Sequence, residues 1–372
     1  MIRRLVRAVL PAQGVDALKH VEKVLRYYLK RRGVQRALDH VLDTSQIIIV
    51  HLETTNICNA KCVFCAYPEM ERAHTTMAME PFTKVVDKCI AEGVVRFSLT
   101  PVVGDPMADK HFFERLVYFA DAGAHSVDFV TNCIAFTPSK IEKFIAFKKA
   151  RPELRTPISV SLGGVDAETY RNTFRVDSFA QVERNLPQLL SRLEEEKIAN
   201  SVLIHLRCPD VDADSAFFKR LKAFEARGIC KVSHDRTMAY GNWGGKVDVD
   251  KMEAMGYQVA KPPRRFFGPC DLMFSKGVVV SGDGSVNACA CRDVELTLPI
   301  GNILETNSSL SDVLKGQKRR DMVNAFMDGI PPETCHRCSE YLSIFDPGSK
   351  FRQKYVEQEH GDPFADDAQK GN

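Results

Sequence analysis

The chain of 372 residues carries 51 Lys and Arg against 48 Asp and Glu, a formal net charge of +3, and 44% of its residues are hydrophobic. This composition excludes disorder and collagen-like architectures. It gives no global reason to expect a nucleic-acid partner. No stretch reaches the roughly 20 apolar residues of a transmembrane helix, so we expect no transmembrane segment. The twelve cysteines are the unusual feature.

The amino terminus predicts a cytoplasmic chain rather than a secreted one. Arg3 and Arg4 precede apolar residues, but Arg7 interrupts them, and no long apolar region or cleavage site follows. In a reducing compartment, clustered cysteines serve metal sites or catalysis more often than disulfides. The cysteines therefore predict a metal site or a catalytic site.

Residues 1–45 are predicted to form a helical amino-terminal segment. Apolar residues recur at helical spacing from Val15 to Leu29, and Gly33 separates a second helix that ends near Leu42. The first 40 residues hold ten Lys or Arg against three acids. This excess fits a membrane-surface or partner-binding helix, or a helical cap on the main domain, which we favour.

From residue 46 to residue 260, apolar β-branched runs alternate with helical stretches. Such repeats predict a parallel sheet with right-handed crossovers, and six of them suit an α/β partial (β/α)6 TIM-type barrel. Functional groups are then expected at the carboxyl ends of the strands. The predicted strands are Ile47–Glu53, Val94–Thr100, Ser126–Thr131, Ile158–Leu162, Val202–Arg207 and Lys231–Thr237.

Lys261-Pro262-Pro263 marks a boundary, after which residues 261–348 predict a small carboxy-terminal module. Val278–Val280 and Ser285–Ala288 flank an Asp-Gly turn and predict a β-hairpin. A helix is expected over Leu310–Asp328. Residues 349–372 are acidic and poor in apolar residues, which is typical of a frayed tail.

Three cysteines, Cys58, Cys62 and Cys65, follow the first predicted strand within one loop. A structural zinc site uses four ligands, usually in two pairs, and bacterial ferredoxins supply a fourth cysteine. Three thiolates can instead hold a [4Fe–4S] cluster whose fourth iron stays open to a substrate-like ligand. The loop therefore predicts a catalytic cluster.

This loop resembles the signature of the radical S-adenosylmethionine (radical SAM) superfamily, C-x3-C-x-φ-C, with Phe64 at the aromatic position. The resemblance implies a [4Fe–4S] cluster that binds S-adenosylmethionine (SAM), with Phe64 against the adenine. It also implies reductive cleavage of SAM to a 5′-deoxyadenosyl radical that abstracts a substrate hydrogen. The electron would come from an external donor such as flavodoxin or ferredoxin.

Two further segments resemble SAM-contacting motifs of the family. Val103-Gly104-Asp105-Pro106 is similar to a Gly-Gly-Glu motif that meets the methionine amino group. The Gly104 backbone role carries over, whereas Asp105 is shorter than the family's glutamate. Ser159–Gly164 resembles the segment that contacts the ribose and the carboxylate, with Ser161 as the expected contact. Arg171 or Arg175 is a candidate partner of the SAM carboxylate.

The carboxy-terminal cysteines resemble the SPASM/twitch extension of radical SAM enzymes. The resemblance implies the shorter twitch form with one auxiliary [4Fe–4S] cluster, since no cysteine follows Cys338. Cys291 is a rival for Cys289, and a four-cysteine zinc ribbon is the structural alternative. The expected ligands are Cys270, Cys289, Cys335 and Cys338.

The remaining candidate residues lie near the ends of predicted strands and carry no assigned role. Cys133 and Cys208 are candidates to donate a hydrogen atom to a radical, although we favour the interpretation that both are buried packing residues. Trp243, the only tryptophan, is a candidate to cover the substrate. No catalytic base is assigned; candidates to line the cavity are Glu53, His205, Arg207, His234, Asp235 and Arg236.

These features predict a radical SAM enzyme that oxidises (dehydrogenates) or epimerises a small polyol, aminosugar or similar metabolite. The alternative is a maturase of a ribosomally made peptide. Such enzymes often carry a peptide-recognition domain of about 80 to 90 residues at the amino terminus. The roughly 45 residues before the first strand are too few for that domain, which favours the small metabolite. A non-catalytic zinc-binding adaptor is the hypothesis from another class.

Overall fold

The computed structural model describes residues 35, 38–43, 49–100, 102–234, 239–263, 268–275, 277–290, 292–305, 308–346, 348–351 and 353. The strands are β1 (Val50–Leu52), β2 (Arg96–Ser98), β3 (Ser126–Thr131), β4 (Ile158–Leu162), β5 (Val202–Leu206), β6 (Lys231–Ser233), β7 (Val278–Val280), β8 (Ser285–Asn287) and β9 (Pro299–Asn302). The α-helices are α1 (Met79–Ala91), α2 (Phe112–Asp121), α3 (Pro138–Ala150), α4 (Ala167–Phe174), α5 (Phe179–Glu195), α6 (Ala216–Ala226), α7 (Val249–Ala254), α8 (Leu272–Ser275), α9 (Leu310–Lys315), α10 (Gln317–Met327) and α11 (Glu333–His336).

The strands form one sheet in the order β6-β5-β4-β3-β2-β1-β7-β8-β9. Strands β1 to β6 pair in parallel with their neighbours in sequence order. Each crossover carries at least one helix, as a parallel sheet requires. The predicted α/β class with a six-stranded parallel barrel sheet is confirmed.

Strict alternation along the strands divides the sheet into two chemically different faces. In β3 the apolar Val127 and Phe129 are buried while their neighbours are half-buried, and β4 and β5 repeat the pattern. The apolar side chains meet the helices in one core, where the rings of Phe97 and Phe119 lie 4.8 Å apart. The helices therefore cover the outer face and leave the other face to the lumen.

The carboxy-terminal hairpin extends the barrel sheet instead of standing apart from it. Strand β7 pairs in parallel with β1, so that Val50 faces Val278, and β8 and β9 follow antiparallel. Gly284 turns the hairpin at a φ of +83°, where a Cβ would lie 2.5 Å from Leu304. The sequence did not predict β9 or the β1–β7 pairing, and the boundary at residue 260 stays a prediction.

Several predicted element bounds are corrected by the structure. The helix expected over Leu310–Asp328 is two helices, because Gly316 is extended at ψ 154° between α9 and α10. Strand β1 starts at Val50 rather than Ile47, and β6 ends at Ser233. Residues 44–48 and 235–238 lie outside the described residues. Helix α4 was not predicted.

Residues 38–43, which are helical, pack on the main domain. Leu38, Val41 and Leu42 are buried in the main core, and Asp43 pairs with Arg320 at 2.5 Å. Most of the predicted amino-terminal segment and of the tail over residues 349–372 lies outside the described residues. Within the described part of the chain, no helix is long and apolar enough to cross a membrane.

Candidate active site

Cys58, Cys62 and Cys65 lie in the loop that follows β1, and all three are half-buried free thiols. Backbone contacts with α4 fix this cysteine loop. The N–H groups of Lys61 and Val63 donate to the carbonyls of Phe174 and Thr173, both at 2.9 Å. The end of one helix therefore holds the loop on either side of Cys62.

The three thiols influence one another electrostatically. Burial raises the pKa of Cys58 to about 12, with the charges of Asp105 and Cys65 adding to the rise. Burial also raises the pKa of Cys65 to about 11. The pKa of Cys62 is raised well above its usual value by burial and then by the charges of Cys65 and Cys58. Three sulfurs that face one another in a buried loop fit the all-thiolate ligand set of an iron–sulfur cluster.

Among the described residues, no three His, Cys, Asp or Glu side chains lie close enough to hold a single metal ion. A four-iron cluster spreads its ligand sulfurs more widely than one ion does, so this finding concerns mononuclear sites only.

Phe64 lies at the centre of a group of aromatic rings. Its ring centroid is 5.1 Å from that of Tyr240 and 6.1 Å from that of Phe174, and the Arg207 guanidinium lies 6.0 Å away. The Trp243 indole N–H donates to the Phe64 carbonyl at 2.7 Å. Trp243 is only 9% exposed. It therefore buttresses the cysteine loop, and a role in covering the substrate stays a prediction.

Gly104 lets the loop after β2 approach the cysteine loop. A Cβ at this position would lie 2.6 Å from the Thr55 carbonyl oxygen, and φ is +107°. The next residue, Asp105, donates its N–H to the Ile57 carbonyl at 2.9 Å. The two loops are thus fastened together through backbone that only glycine accommodates.

The Asp105 carboxylate binds groups of the protein itself. It is 2% exposed and accepts hydrogen bonds from Met107 N at 2.9 Å, Asn132 N at 2.9 Å and Thr131 Oγ1 at 3.0 Å. These bonds join the ends of β2 and β3. A contact between this carboxylate and the methionine amino group stays a prediction.

The cations expected at the SAM carboxylate lie outside the lumen. Arg171 is exposed and pairs with Asp177 at 3.1 Å, and Arg175 is exposed at the end of α4. Both line an outer cavity of about 640 Å³ together with Lys251. The cation beside Phe64 is Arg207 instead, and its buried Nε has no hydrogen-bond partner among the described residues.

The lumen face of the barrel strands is largely polar. Directly paired residues of parallel strands point the same way, and the register aligns Ser161 with His205 and Ser233. It likewise aligns His51 with Ser98 and Asp128, and Ser98 donates to Asp128 at 2.7 Å. Ser161 thus faces the lumen.

The other cavity candidates are mostly engaged within the protein. Glu53 is 2% exposed, and both of its carboxylate oxygens accept hydrogen bonds from Arg72 in a bidentate ion pair. His234 Nε2 lies 3.0 Å from the Cys208 carbonyl. Cys133 and Cys208 are buried, as the packing interpretation expects, and Asp235 and Arg236 lie outside the described residues.

The predicted auxiliary cysteines come together in the carboxy-terminal module. Burial raises the pKa of Cys270 to about 12, and the charges of Cys289 and Cys338 add to the rise. The pKa of Cys335 is raised by burial and then by Cys289, Cys270 and Cys338. The charges of Cys289 and Cys338 thus act on both Cys270 and Cys335. Cys291 lies outside the described residues.

Arg292, which sequence reasoning missed, connects this module with the cysteine loop. Its guanidinium lies 4.8 Å from the Trp243 ring and 3.6 Å from the Glu340 carboxylate, and its charge acts on Cys65. No local pattern marks it, because its partners lie far away in sequence.

Comparisons with known proteins agree with this geometry. The family model of the radical SAM superfamily matches residues 52–206, and that of an iron–sulfur cluster-binding domain, SPASM, matches residues 270–339. The latter replaces the zinc ribbon considered from the sequence. GTP 3′,8-cyclase of Desulforamulus reducens is 25% identical over 147 residues, which cover 38% of this chain and 42% of that protein's length.

Solved structures share the fold at low identity. BtrN in complex with AdoMet and 2-DOIA has a TM-score of 0.51 at 13% identity, covering 82% of this chain and 98% of BtrN. Streptococcus suis SuiB bound to precursor peptide SuiA has a TM-score of 0.52 at 11% identity, covering 83% of this chain and 74% of SuiB. The two family matches, rather than these solved structures, assign the chain to the radical SAM superfamily, with a [4Fe–4S] cluster and S-adenosylmethionine as cofactors and a SPASM iron–sulfur cluster-binding domain near its carboxyl end.

Proposed function

We propose that this protein oxidises or epimerises a small polar metabolite, such as a polyol, cyclitol or aminosugar. When bound, the cofactors would supply the chemistry: one electron would split SAM into methionine and a 5′-deoxyadenosyl radical able to take a hydrogen atom from a substrate C–H bond. The polypeptide binds, orients and shields the reactants. The polar lumen is the observation that carries this proposal.

A closed TIM barrel fills its interior with bulky branched apolar side chains. Here several inward positions hold hydroxyl, carboxyl and imidazole groups, aligned across β1–β3 and across β4–β6, beside the apolar Val130 and Leu203. Polar groups inside a barrel need hydrogen-bond partners from the protein, from water or from a ligand, and Ser98 and Asp128 already bond to each other. A substrate with several hydroxyl or amino groups matches this lining. The inward-facing polar residues are His51, Ser98, Asp128, Ser159, Ser161, His205 and Ser233.

The residues at the top of the barrel divide the remaining tasks. We assign Cys58, Cys62 and Cys65 as ligands of the SAM-binding cluster, and Cys270, Cys289, Cys335 and Cys338 as ligands of one auxiliary [4Fe–4S] cluster. Phe64, Gly104 and Ser161 are proposed to contact SAM. Arg207 takes the place of Arg171 and Arg175 as the proposed partner of the carboxylate, because it is a cation beside the cysteine loop whereas Arg171 and Arg175 are exposed.

His205 is the proposed base for the oxidation. Burial, followed by the charge of Arg207, lowers its pKa below the usual value, so the imidazole is neutral at physiological pH and able to accept a proton. His205 would take the proton that is released when a substrate radical is oxidised, and the auxiliary cluster, when bound, would supply an acceptor for the electron. Epimerisation would return a hydrogen atom instead of removing this electron.

An acidic electron carrier such as flavodoxin or ferredoxin is the proposed reductant in the cytoplasm. Four exposed cations surround α4 and the cysteine loop, and we call them the basic edge: Lys61, Arg171, Arg175 and Lys251. Lys61 adjoins Arg175 because its N–H donates to the carbonyl of Phe174. Charge complementarity at this edge would bring the carrier next to the cluster.

Isotope transfer tests the substrate class. The reconstituted enzyme is incubated with SAM, reductant and panels of deuterated polyols or aminosugars, and 5′-deoxyadenosine is analysed by mass spectrometry. Deuterium in 5′-deoxyadenosine from a polyol or aminosugar supports the proposal. Deuterium only from labelled precursor peptides would establish the alternative, a peptide maturase.

A further inference from the structure

Helix α4 is seated unusually closely on the end of β4. A Cβ on Gly164 would lie 2.7 Å from the backbone nitrogen of Tyr170, and one on Gly163 would lie 2.6 Å from the Phe174 ring. The carbonyl end of the same helix holds the cysteine loop through Lys61 and Val63. The position of α4 is therefore fixed from both sides, and with it the side chain of Tyr170.

The Tyr170 hydroxyl is buried without a partner. The residue is 0% exposed, and its ring lies 5.0 Å from that of Phe174 and 5.8 Å from that of Phe179. The hydroxyl oxygen has no hydrogen-bond partner among the described residues. Buried tyrosine hydroxyls nearly always have one, so this group calls for an acceptor that the described residues do not supply.

The charged and titratable groups that act on this hydroxyl are Cys62, Cys133, Asp105 and Cys58. Asp105 already accepts three hydrogen bonds. Cys133 is buried and lies outside both cysteine clusters. Cys62 and Cys58 remain, and both belong to the cysteine loop. Burial also raises the pKa of Tyr170, which keeps the hydroxyl protonated as a donor.

We propose that the Tyr170 hydroxyl donates a hydrogen bond to a sulfur of the cluster held by the cysteine loop, and thereby raises its reduction potential. This inference rests on the proposed function. Hydrogen bonds to the sulfurs are among the factors that set such potentials, because they stabilise the reduced cluster, which carries more negative charge. Tyr170 would thus adjust how readily the electron for SAM cleavage is accepted.

Tyr170→Phe tests the proposal, because it removes the hydroxyl and keeps the ring. An anaerobic redox titration of the reconstituted protein, followed by electron paramagnetic resonance, gives the midpoint potentials of both clusters. We expect the midpoint of the SAM-binding cluster to fall, with up to about tenfold less reduced cluster at a fixed potential, or about 59 mV. The auxiliary cluster should keep its midpoint.

Tyr257→Phe is the matched control, since Tyr257 is also buried but its hydroxyl donates to Thr173 Oγ1 at 3.3 Å. Its midpoint should equal that of the wild type. Incorporation of 3-fluorotyrosine at position 170 strengthens the donor and should raise the midpoint, which provides a second test should Tyr170→Phe fail to load iron. Unchanged midpoints in the loaded Tyr170 variants would overturn the inference. A wild type that does not cleave SAM would overturn the proposed function instead.

Discussion

The ion pair between Glu53 and Arg72 fastens the end of β1 to the carboxy-terminal module. Both carboxylate oxygens of Glu53 accept from Arg72, which also donates from Nε to the Val294 carbonyl. The backbone N–H of Arg72 donates to Glu295 at 3.1 Å. Arg72→Met would therefore leave the Glu53 carboxylate, 2% exposed, without its counter-charge.

Removing one partner of a buried ion pair costs about 3 to 5 kcal/mol. The Arg72 side chain is 18% exposed, so water reaches one side of the pair, and we expect about 3 kcal/mol. Urea unfolding under anaerobic conditions measures the loss for Arg72→Met, Glu53→Gln and the double variant. The double variant should lose about 2 kcal/mol less than the sum of the single variants.

Lys84→Met is the control, because its ion pair with Glu80 is 59% and 78% exposed at the two side chains. An exposed pair contributes at most about 1 kcal/mol. If Arg72→Met costs no more than Lys84→Met, the reasoning from burial is wrong.

Three further predictions concern the site itself. The double variant Lys61→Glu, Arg175→Glu should slow 5′-deoxyadenosine formation driven by flavodoxin and leave the dithionite-driven rate unchanged. Arg96→Glu, on the exposed start of β2, should affect neither rate. Equal losses with both reductants would contradict the proposal that the basic edge binds the electron carrier. His205→Asn should lower substrate oxidation about a hundredfold while 5′-deoxyadenosine still forms. Since burial lowers the folded-state pKa of His205, the wild-type rate of substrate oxidation should be constant above that pKa and fall below it. His205 should reduce the stability of the fold only as the pH falls below about 6.5. A His205→Asn variant with the wild-type pH profile would refute the assignment. Cys335→Ala should reduce iron from about eight to about four atoms per chain and abolish oxidised product, whereas undiminished iron would exclude Cys335 as a ligand.

Local patterns in the sequence were sufficient for much of this description. The bounds of β3 and β4 follow from alternation, and the cysteine spacing with Phe64 identifies the family. Asp105 shows the limit of such reading. Its position after β2 was recognised, but its three donors come from the turn after β2 and from the end of β3, and only the folded chain shows that the carboxylate is already bound.

What the sequence did not reveal depends on long-range contacts. The pairing of β7 with β1 joins segments more than 200 residues apart, and no periodicity marks it. Arg72 and Arg292 stand in segments without a motif. No motif marks the Tyr170 hydroxyl, since the lack of a hydrogen-bond partner becomes visible only when the neighbouring residues have been placed.

The central claim is that the cysteine loop holds a cluster that cleaves SAM, and production of 5′-deoxyadenosine tests it most directly. Anaerobically reconstituted protein with SAM and dithionite should release 5′-deoxyadenosine and methionine in equal amounts. The variant with Cys58, Cys62 and Cys65 all replaced by alanine should release none, while Cys230→Ala, which removes a buried thiol outside both clusters, should match the wild type. Absence of 5′-deoxyadenosine from iron-loaded wild-type protein would contradict the account.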